Sequence, residues 1–424
     1  MLGIDIVDID KIKNLKKRDR FLQRFFTPDE REYLQLKNNS YQTMAGIFSA
    51  KEAVAKAFKT GIGAKIGLKD IEIGHQDQAP YVKLTKKKIR RLLQEKGYDQ
   101  IAISISHDGK YAISQAILHR STTGPRPMID PTLAQLLPER NEDFNKYDYG
   151  NVLIIGGKRG MHGSVSLASL ASMRTGSGLC HLLIPDSIYQ PVANRVLEPI
   201  IHVYKSDCDG EFSDFDHKAF IDFIEGFDAI AFGPGIGRKA PARKMLGLLL
   251  KNYQGPVLID ADGINLLKDL GPFEKKNVYI SPHEKEFARL LQLDINLIKK
   301  DRLGACKEFL KKYSINLLLK GKNSIIINER QVYINKSGSS ALATAGSGDS
   351  LTGIIISLLA RRDHIDMMKL AAYIHGLAGD YASLDLGEDS VIASDIVNYI
   401  PEVIKDLRRE EVNAKQDKNQ QGHS

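Results

Sequence analysis

Hydrophobic and polar residues alternate with two different periods along the first 120 residues. Alternation every second residue predicts strands, and apolar residues spaced three or four apart predict helices. This mixture predicts a small α+β domain. The predicted strands cover residues 2–9, the neighbourhoods of 71 and 81, 101–106 and 111–118, with His107, Asp108 and Gly109 as the last turn, and the predicted helices cover 20–37, 45–58 and 85–96.

From residue 132 the pattern changes to continuous apolar runs, each followed by a stretch with helical spacing. Strands of a parallel sheet look like this because helices cover both faces of the sheet. The runs therefore predict an α/β domain with a doubly wound sheet, in which ligands bind beyond the C-terminal strand ends. The runs are NVLIIGG, GLCHLLIP, AIAFGPGIG, PVLIDADG, NVYISPHE and NLLLKG.

Between the two patterns, the segment HRSTTGPRPMIDP has no apolar periodicity and is rich in turn-forming residues. We therefore predict a first domain over residues 1–120, a linker over 121–131 and a second domain over 132–405. Residues 406–424 are mostly polar, and their composition predicts a disordered tail.

Composition places the chain among ordinary globular proteins, since 42% of its 424 residues are hydrophobic and 26% are charged. No apolar run approaches the roughly 20 residues of a membrane-spanning helix. The N-terminus alternates Ile with Asp, unlike a secretory signal. Cys180, Cys208 and Cys306 have no C-x-x-C spacing, so they predict reduced thiols. We expect a cytoplasmic location and no membrane partner.

Positive charge is concentrated in the first domain. Residues 1–120 hold 23 Lys and Arg against 14 Asp and Glu, whereas the rest of the chain is nearly balanced. This asymmetry predicts an acidic partner for the first domain, either a protein or a polyphosphate ligand. No nucleic-acid-binding signature accompanies the basic residues, so we expect no nucleic acid. The cluster nearest the N-terminus consists of Lys11, Lys13, Lys16, Lys17, Arg18, Arg20 and Arg24.

Three segments of the first domain carry candidate chemistry: GIDIVDI, FSAKEAVAKAF and SISH. Glu52 and Lys56 are four residues apart and share a helix face. Asp5, on the first strand, offers a second carboxylate, and two carboxylates commonly hold Mg²⁺ beside a phosphate. The alternative is a Glu52–Lys56 salt bridge on a solvated helix, and spacing alone favours that alternative.

These three segments, in this order and over nearly all of residues 1–120, resemble holo-acyl-carrier-protein synthase, the phosphopantetheinyl transferase of fatty-acid synthesis. The resemblance implies that Asp5 and Glu52 bind Mg²⁺ on the pyrophosphate of coenzyme A, and that Lys56 and His107 line the coenzyme pocket. The implied reaction is attack of a carrier-protein serine on the β-phosphate of coenzyme A, releasing adenosine 3′,5′-bisphosphate.

Two further expectations follow from this resemblance. His107 is a candidate catalytic base for the serine proton because an ordinary histidine titrates near pH 6.5, although a coenzyme or backbone contact explains it equally well. The basic cluster would attract an acidic acyl carrier protein. Members of the family are typically trimers, so a trimer-based homo-oligomer is implied.

In the second domain the most informative stretch is TAGSGDSLTGIIISLLA. Gly346, Ser347 and Gly348 precede an apolar helix, so backbone N–H groups at its N-terminus would converge on an anion. Asp349 lies in the first turn, where a carboxylate suits a general base on a hydroxyl that accepts a phosphoryl group. The alternative is a glycine-rich turn capped by an aspartate.

Other strand ends carry polar residues or glycines that allow close approach of a ligand. His283 on its own fits a structural histidine better than a ligand contact, and GPGIG on its own fits a tight turn, so the functional interpretation depends on their joint position at strand ends. The KGKNS segment would place a cation and amide donors near a nucleotide. The residues at these strand ends are Gly156, Gly157, the GPGIG segment from Gly233 to Gly237, Asp260, Asp262, Asn265, His283 and Glu286.

Residues from roughly 130 to 402 resemble the ribokinase-like ADP-dependent NAD(P)H-hydrate dehydratases. The resemblance implies that ADP phosphorylates the C6 hydroxyl of NAD(P)HX, which is then eliminated as phosphate to give AMP and NAD(P)H. Asp349 would be the catalytic base. The implied nucleotide contacts are Gly348 with Lys320, Gly321, Lys322, Asn323 and Ser324, and the implied hydrate contacts are Ser164, Gly235, His283 and Asp349.

Four positions depart from that family's pattern. Glu284-Lys285 replaces a usual Pro-Gly after the histidine, which leaves the shape of the loop open. Ala345 replaces a glycine of the anion loop, so the structure must show whether this position needs a positive φ. Ser164 stands where the family more often has alanine.

The sequence therefore predicts a bifunctional enzyme with Mg²⁺, coenzyme A and ADP as its cofactor and co-substrates. One alternative is a ribokinase-like small-molecule kinase attached to a transferase-derived oligomerisation module. Another is a non-catalytic scaffold that binds carrier protein and nucleotide. The presence of Asp5, Glu52 and Asp349 argues against the scaffold, because binding alone does not require these carboxylates.

Overall fold

The computed structural model describes residues 1–59, 66–76, 79–119, 126–270 and 274–421. The chain divides into two units, Met1–Gly124 and Pro125–Ser424, each with its own core. Residues 121–125 of the predicted linker lie outside the described residues. Nowhere in the described ranges does a helix combine the length and apolar character needed to cross a bilayer.

The first unit contains a three-stranded antiparallel sheet of order β1-β5-β4, a two-stranded β2-β3 hairpin and five described helices. The elements are β1 (Leu2–Asp8), α1 (Ile9–Lys13), α2 (Arg18–Phe25), α3 (Pro28–Leu36), α4 (Tyr41–Ala57), β2 (Ile71–Gln76), β3 (Ala79–Leu84), α5 (Lys87–Glu95), β4 (Gln100–Asp108) and β5 (Tyr111–His119).

Two predictions for this unit need correction. The single predicted helix over 20–37 is two helices, because Thr27 begins α3 with a capping box and Pro28 occupies its first turn. The predicted turn residue His107 lies in strand β4 instead, opposite Ala112. The turn itself is shorter, with Gly109 at φ +45° between the two strands.

Helix α4 covers one face of the three-stranded sheet. A Cβ on Gly3 would lie 2.1 Å from the carbonyl oxygen of Ala53, so only glycine lets β1 approach the helix this closely. The opposite face is exposed, and it includes polar residues such as Gln115 and Ser104. Its large apolar side chains lie on β1 and β5, and we call them the open sheet face: Leu2, Ile4, Ile6, Ile113 and Ile117.

The second unit is built on a nine-stranded sheet of order β14-β13-β12-β11-β10-β9-β6-β7-β8. The strands from β12 to β8 are parallel, and β13 and β14 add an antiparallel edge. The strands are β6 (Asn151–Ile155), β7 (Leu179–Pro185), β8 (Ile200–Tyr204), β9 (Ala229–Phe232), β10 (Val257–Ile259), β11 (Glu274–Ile280), β12 (Ser314–Leu319), β13 (Ile325–Ile327) and β14 (Val332–Ile334).

Helices pack on both faces of this sheet and enclose two apolar cores, which confirms the predicted doubly wound α/β class. The helices are α6 (Pro131–Ala134), α7 (His162–Thr175), α8 (Tyr189–Ala193), α9 (His217–Ile224), α10 (Ala240–Asn252), α11 (Asp262–Leu267), α12 (Glu284–Leu291), α13 (Ile295–Lys300), α14 (Arg302–Leu310), α15 (Ser347–Leu359), α16 (Asp366–Leu386) and α17 (Ala393–Gln421).

All six apolar runs form central strands, whereas β8, β13 and β14 were not predicted. The predicted disordered tail from residue 406 also differs from the structure, because α17 continues through Gln421. Leu407 is fully buried in the core, and Arg408 donates hydrogen bonds to the carbonyl of Pro138 and to Glu411. These contacts hold a segment whose composition alone favours disorder.

Candidate active sites

In the first unit, Asp5 and Lys56 meet between β1 and α4. Lys56 Nζ lies 2.7 Å from Asp5 Oδ1, with the lysine half exposed and the aspartate mostly covered. Lys56 therefore pairs with Asp5 on the strand. The salt bridge with Glu52 on the same helix, which the spacing alone favoured, is not the pairing that the structure shows. The Lys56–Asp5 contact ties the first strand to the helix at the point where both carboxylates lie.

Glu52 shares this site. Partial burial raises the pKa of the Glu52 carboxyl, and the nearby Asp5 carboxylate raises it further against the opposing charge of Lys56. Two carboxylates that repel each other beside one ammonium group are a suitable pair for a divalent cation. Within the described residues, no group of three or more His, Cys, Asp and Glu side chains forms a metal cage. Mg²⁺ fits such a two-carboxylate site because it usually keeps several waters and substrate phosphates as ligands.

His107 lies on the same face of the sheet as Asp5. Asp5 pairs with Ser114, which pairs with Ile105, and His107 is two residues further along β4. Because strand side chains alternate between faces, Ile105 and His107 point to the same side. The His107 side chain is exposed.

A buried ion pair fixes the helix that carries Glu52. Lys51 Nζ lies 2.5 Å from Glu30, and neither side chain is exposed. Lys51 also donates to the carbonyls of Phe25 and Leu68, and Glu30 accepts from the N–H of Ile73. Burial raises the pKa of Glu30 and lowers that of Lys51. The pair joins α2, α3, α4 and β2 one residue before the candidate metal ligand.

In the second unit, the loop before α15 has the geometry of an anion site. Gly346 has φ +86°, and a Cβ there would lie 2.6 Å from Leu167, so only glycine fits. Ala345 is outside the left-handed region, so the alanine found there costs nothing in backbone strain. No side chain caps the first turn of this 13-residue helix, whose N–H groups carry the positive end of the helix dipole.

Asp349 lies in that first turn. Burial raises the pKa of its carboxyl to about 6, and Asp260 raises it as well, against the opposing effects of Lys320 and a hydrogen bond from the Ser164 hydroxyl. A carboxylate with this pKa is ionised at neutral pH yet much more basic than an ordinary aspartate. It is therefore well suited to accept a proton from a substrate hydroxyl.

A buried ion pair lies next to Asp349. Lys320 Nζ is 2.8 Å from Asp260 Oδ1, and the Thr352 hydroxyl donates to Asp260 Oδ2 at 2.7 Å. Burial opposes the charge of Lys320, but Asp260 and Glu286 outweigh it and raise the lysine pKa. A Cβ on Gly348 would lie 3.4 Å from Lys320 Nζ, so the ammonium group directly faces the anion loop.

His283 begins helix α12. Its Nδ1 accepts hydrogen bonds from the N–H groups of Lys285 and Glu286, and Glu286 in turn accepts from the His283 N–H. Burial and the charge of Lys320 lower the pKa of His283 to about 4, so the imidazole is neutral. Nδ1 therefore caps the helix, while Nε2 of the half-exposed ring lies 3.4 Å from Glu286 Oε1.

The glycines of the GPGIG segment lie against the same cluster. Gly235 has φ +62°, and a Cβ there would lie 3.3 Å from the Ser164 hydroxyl. Since Ser164 also donates to Asp349, the structure brings Ser164, Gly235 and Asp349 together. Glu284 is the first residue of α12, and its carboxylate forms an ion pair with Arg302 at 3.2 Å. This pair holds the segment that directly follows His283.

The KGKNS segment forms a tight loop after β12. Gly321 and Asn323 have positive φ, and the Ser324 hydroxyl donates to the Gly321 carbonyl. Arg302, which sequence reasoning missed, donates from its guanidinium to the carbonyls of Lys322 and Asn323. Lys320 points back to Asp260, and the exposed Lys322 is the cation at the surface of this loop.

Two predicted polar residues lie outside the cluster around Asp349. Asp262 accepts hydrogen bonds from Gly237 and Arg238, and Asn265 donates a hydrogen bond to the carbonyl of Ala261.

Thr352, which donates to Asp260, was missed because it lies within an apolar helical run. The available signal was its position three residues after Asp349, which places both on one face of α15.

The fold and this cluster define a class of protein, an α/β protein whose strand ends carry a helix N-terminus suited to an anion beside a basic carboxylate. A family model described as NAD(P)H-hydrate dehydratase matches residues 152–402. That range is more than half of the chain, and the chain belongs to this family. A second model, of the 4′-phosphopantetheinyl transferase superfamily, matches residues 1–116, so an N-terminal domain of that superfamily is fused to the dehydratase domain.

Individual relatives agree with the dehydratase match. The bifunctional NAD(P)H-hydrate repair enzymes of Moorella thermoacetica and Dictyoglomus turgidum are 33% and 34% identical to the chain over 284 and 275 residues. The alignments cover 65% and 63% of this chain and 53% of each relative, so the chain spans about half the length of these curated relatives. A crystal structure of the Bacillus subtilis ADP/ATP-dependent NAD(P)H-hydrate dehydratase, co-crystallised with ATP and Mg²⁺, is 25% identical with a TM-score of 0.58, covering 67% of this chain and 99% of that one.

Proposed function

We propose that the second unit dehydrates (S)-NAD(P)HX to NAD(P)H at the expense of ADP. The observation that carries this proposal is Asp349, a carboxyl with a pKa of about 6 in the first turn of α15. Gly348 and the KGKNS loop would hold the nucleotide, and Ser164, Gly235 and His283 would hold the hydrate. Asp349 then lies between the two, hydrogen-bonded to Ser164.

The reaction proceeds by phosphoryl transfer and elimination. Asp349 takes the proton of the C6 hydroxyl as that oxygen bonds to the β-phosphorus of ADP, and the bond to the α-phosphate oxygen breaks to release AMP. The C6–O bond then breaks and the oxygen leaves with the phosphate, while C5 loses a proton to solvent and the C5–C6 double bond of the reduced nicotinamide forms. Lys320 and the N–H groups at the start of α15 stabilise negative charge on the transferring phosphoryl group.

The direct test is to incubate the full chain with (S)-NADHX and either ADP or ATP. We expect the absorbance of reduced nicotinamide to return with ADP, together with AMP and phosphate in equal amounts. If the absorbance returned with ATP but not with ADP, the proposed nucleotide would be wrong. Phosphorylation of a sugar or a hydroxymethylpyrimidine, with NADHX untouched, would replace this function with a small-molecule kinase.

We also propose that the first unit transfers 4′-phosphopantetheine from coenzyme A to a serine of an acidic acyl carrier protein. Asp5 and Glu52 would hold Mg²⁺, which supplies charge neutralisation on the pyrophosphate. Lys56 and His107 would contact the coenzyme, with His107 the candidate base for the serine proton. Support comes from the paired carboxylates and from the position of His107 on the same sheet face.

The surface of this unit suits an acidic partner. Lys11 and Lys13 end α1, and the remaining residues of the basic cluster continue into α2. Across the described residues, no ion pair with a carboxylate neutralises any member of the cluster. Arg18 instead lies over the ring of Tyr41, at 5.1 Å from its centroid. Uncompensated positive charge on one surface accelerates association with an acidic protein.

The transferase assay uses apo carrier protein, coenzyme A and Mg²⁺. We expect Asp5→Ala and Glu52→Ala to abolish transfer while dehydration continues, because the two sites use different residues. Asp10→Ala, which removes an exposed carboxylate from the neighbouring helix α1, is the matched control and should transfer normally. Full transfer activity in either site variant would mean that the metal site is misplaced.

We further propose that copies of this chain associate through the open sheet face to form a trimer-based homo-oligomer. Leu2, Ile4, Ile6, Ile113 and Ile117 form a contiguous apolar surface that monomeric proteins rarely leave exposed. Light scattering should give a trimer, or a multiple of it, for the wild type and a smaller species for Ile4→Asp. A wild type that stays monomeric would contradict this assembly. We also infer a cytoplasmic location, which three free cysteines support.

A further inference from the structure

A groove of about 830 Å³ opens between α11 and α12. Its floor is apolar, with Ile264 and Leu266 from α11 and Ala288 and Leu290 from α12. Both helices follow parallel strands, and Lys285, two residues after His283, lines the groove. None of the residues assigned above to the nucleotide or the hydrate lines it.

The rim of the groove is positively charged. Arg238 is paired with Asp262, and Asp269 is paired with Arg243. The remaining three cations, Lys268, Lys285 and Arg289, are exposed, and no ion pair joins them to a carboxylate in the part of the chain that the structure describes. The groove therefore offers an apolar surface beside three exposed positive charges.

Two of these cations belong to the helix that His283 begins. Lys285 and Arg289 are four residues apart and share one face of α12. Their charges help to lower the pKa of His283, so both are within electrostatic reach of its ring. Arg289 is six residues beyond His283, which corresponds to about 9 Å along the helix. A ligand bound at His283 can thus extend along α12 into the groove.

We propose that this groove binds the adenosine half of the dinucleotide, and that Arg289 with Lys285 selects the 2′-phosphate of NADPHX over the 2′-hydroxyl of NADHX. The inference rests on the proposed dehydratase function, which places the hydrated ring at His283. The apolar floor accommodates the adenine ring. The guanidinium of Arg289 matches the oxygens of a phosphate in two parallel hydrogen bonds, and Lys285 adds a point charge.

The test measures binding of NADPH and of NADH to the full chain by the fluorescence of the reduced nicotinamide. We expect the wild type to bind NADPH more tightly. Arg289→Ala should weaken NADPH binding relative to NADH by roughly 10- to 100-fold, the scale for losing a hydrogen bond to a charged group. Lys285→Ala should have a smaller effect in the same direction. Arg330→Ala, which removes an exposed arginine between β13 and β14, is the matched control and should leave the preference unchanged.

The outcomes separate this inference from the proposed function. Equal affinity of the wild type for NADPH and NADH, or a preference that survives in Arg289→Ala, overturns the groove assignment. A preference that depends on Arg289 supports the assignment even if the chain fails to dehydrate NADHX with ADP or ATP, and that failure would instead contradict the proposed reaction. In a chain that dehydrates both hydrates, Arg289→Ala should lower kcat/KM for NADPHX more than for NADHX.

Discussion

Lys320 Nζ lies 2.8 Å from Asp260 Oδ1, and the same ammonium group is close enough to Asp349 and Glu286 for their charges to help raise its pKa. One buried cation therefore serves three carboxyl groups. Burial raises the pKa of Asp349 to about 6, and the charges of Asp260 and Glu286 add to this effect while that of Lys320 opposes it. The burial and negative charge that make Asp349 basic also make its ionised form costly in the folded protein.

Replacing Asp349 with asparagine should lower the rate of dehydration by roughly two to four orders of magnitude, since a positioned base is lost. In the wild type, kcat/KM should fall as the pH drops below about 6, because the base must be ionised to accept a proton. Steady-state rates across pH check both expectations. Asp262→Asn alters a nearby carboxylate that faces Arg238 and should keep the wild-type pH profile. A rate near wild type in Asp349→Asn would exclude this residue as the base.

The same substitution should stabilise the protein at neutral pH. The folded-state pKa of Asp349 is raised from 3.8 to about 6, so folding favours the protonated form, and the ionised form costs about 2 to 3 kcal/mol. This cost is absent below the unfolded-state pKa and is complete above about pH 6. Asp349→Asn should therefore increase the free energy of unfolding at about pH 8, with most of the gain lost near pH 4. Denaturant unfolding at both values measures it, and equal gains would contradict the mechanism.

Replacing Lys320 with methionine should shift the pH profile upward. The positive charge of Lys320 lowers the pKa of Asp349, so its removal moves the acid limb of kcat/KM to higher pH. It also leaves Asp260 buried without its partner, which typically costs about 3 to 5 kcal/mol. Lys307→Met, at an exposed position on α14, is the control for general effects of losing a lysine. An unshifted acid limb in Lys320→Met would show that the two groups are not coupled.

The Lys51–Glu30 pair in the first unit should behave as a buried ion pair. Lys51→Met or Glu30→Gln alone should each cost about 3 to 5 kcal/mol, because one charge or its hydrogen bonds are left unsatisfied. The double variant should lose less than the sum of the single variants. Denaturant unfolding of all four proteins completes a double-mutant cycle, and strict additivity would mean that the two side chains do not interact in the folded state.

The repeating patterns of the chain were sufficient to predict the fold class of each domain and the central strands of the second sheet. Six apolar runs predicted the central strands of the second sheet, because residues buried on both faces must all be apolar. The short strands β8, β13 and β14 were missed, since only three to five residues form each one; the two edge strands, β8 and β14, also expose several of theirs. The helix predicted over 20–37 was wrong because a capping box at Thr27 interrupts a continuous apolar spacing.

Local sequence also identified the groups that carry the candidate chemistry, since a glycine loop before an apolar helix and an aspartate in its first turn lie within a few residues of each other. Only the tertiary structure decided how those groups are paired. Lys56 on α4 pairs with Asp5 on β1, and Lys320 after β12 pairs with Asp260 after β10. Charge pairing depends on distances of a few ångströms between segments that are far apart in the chain. It also depends on burial, which strengthens the interaction between two charges. Neither the distances nor the burial follows from spacing along the sequence.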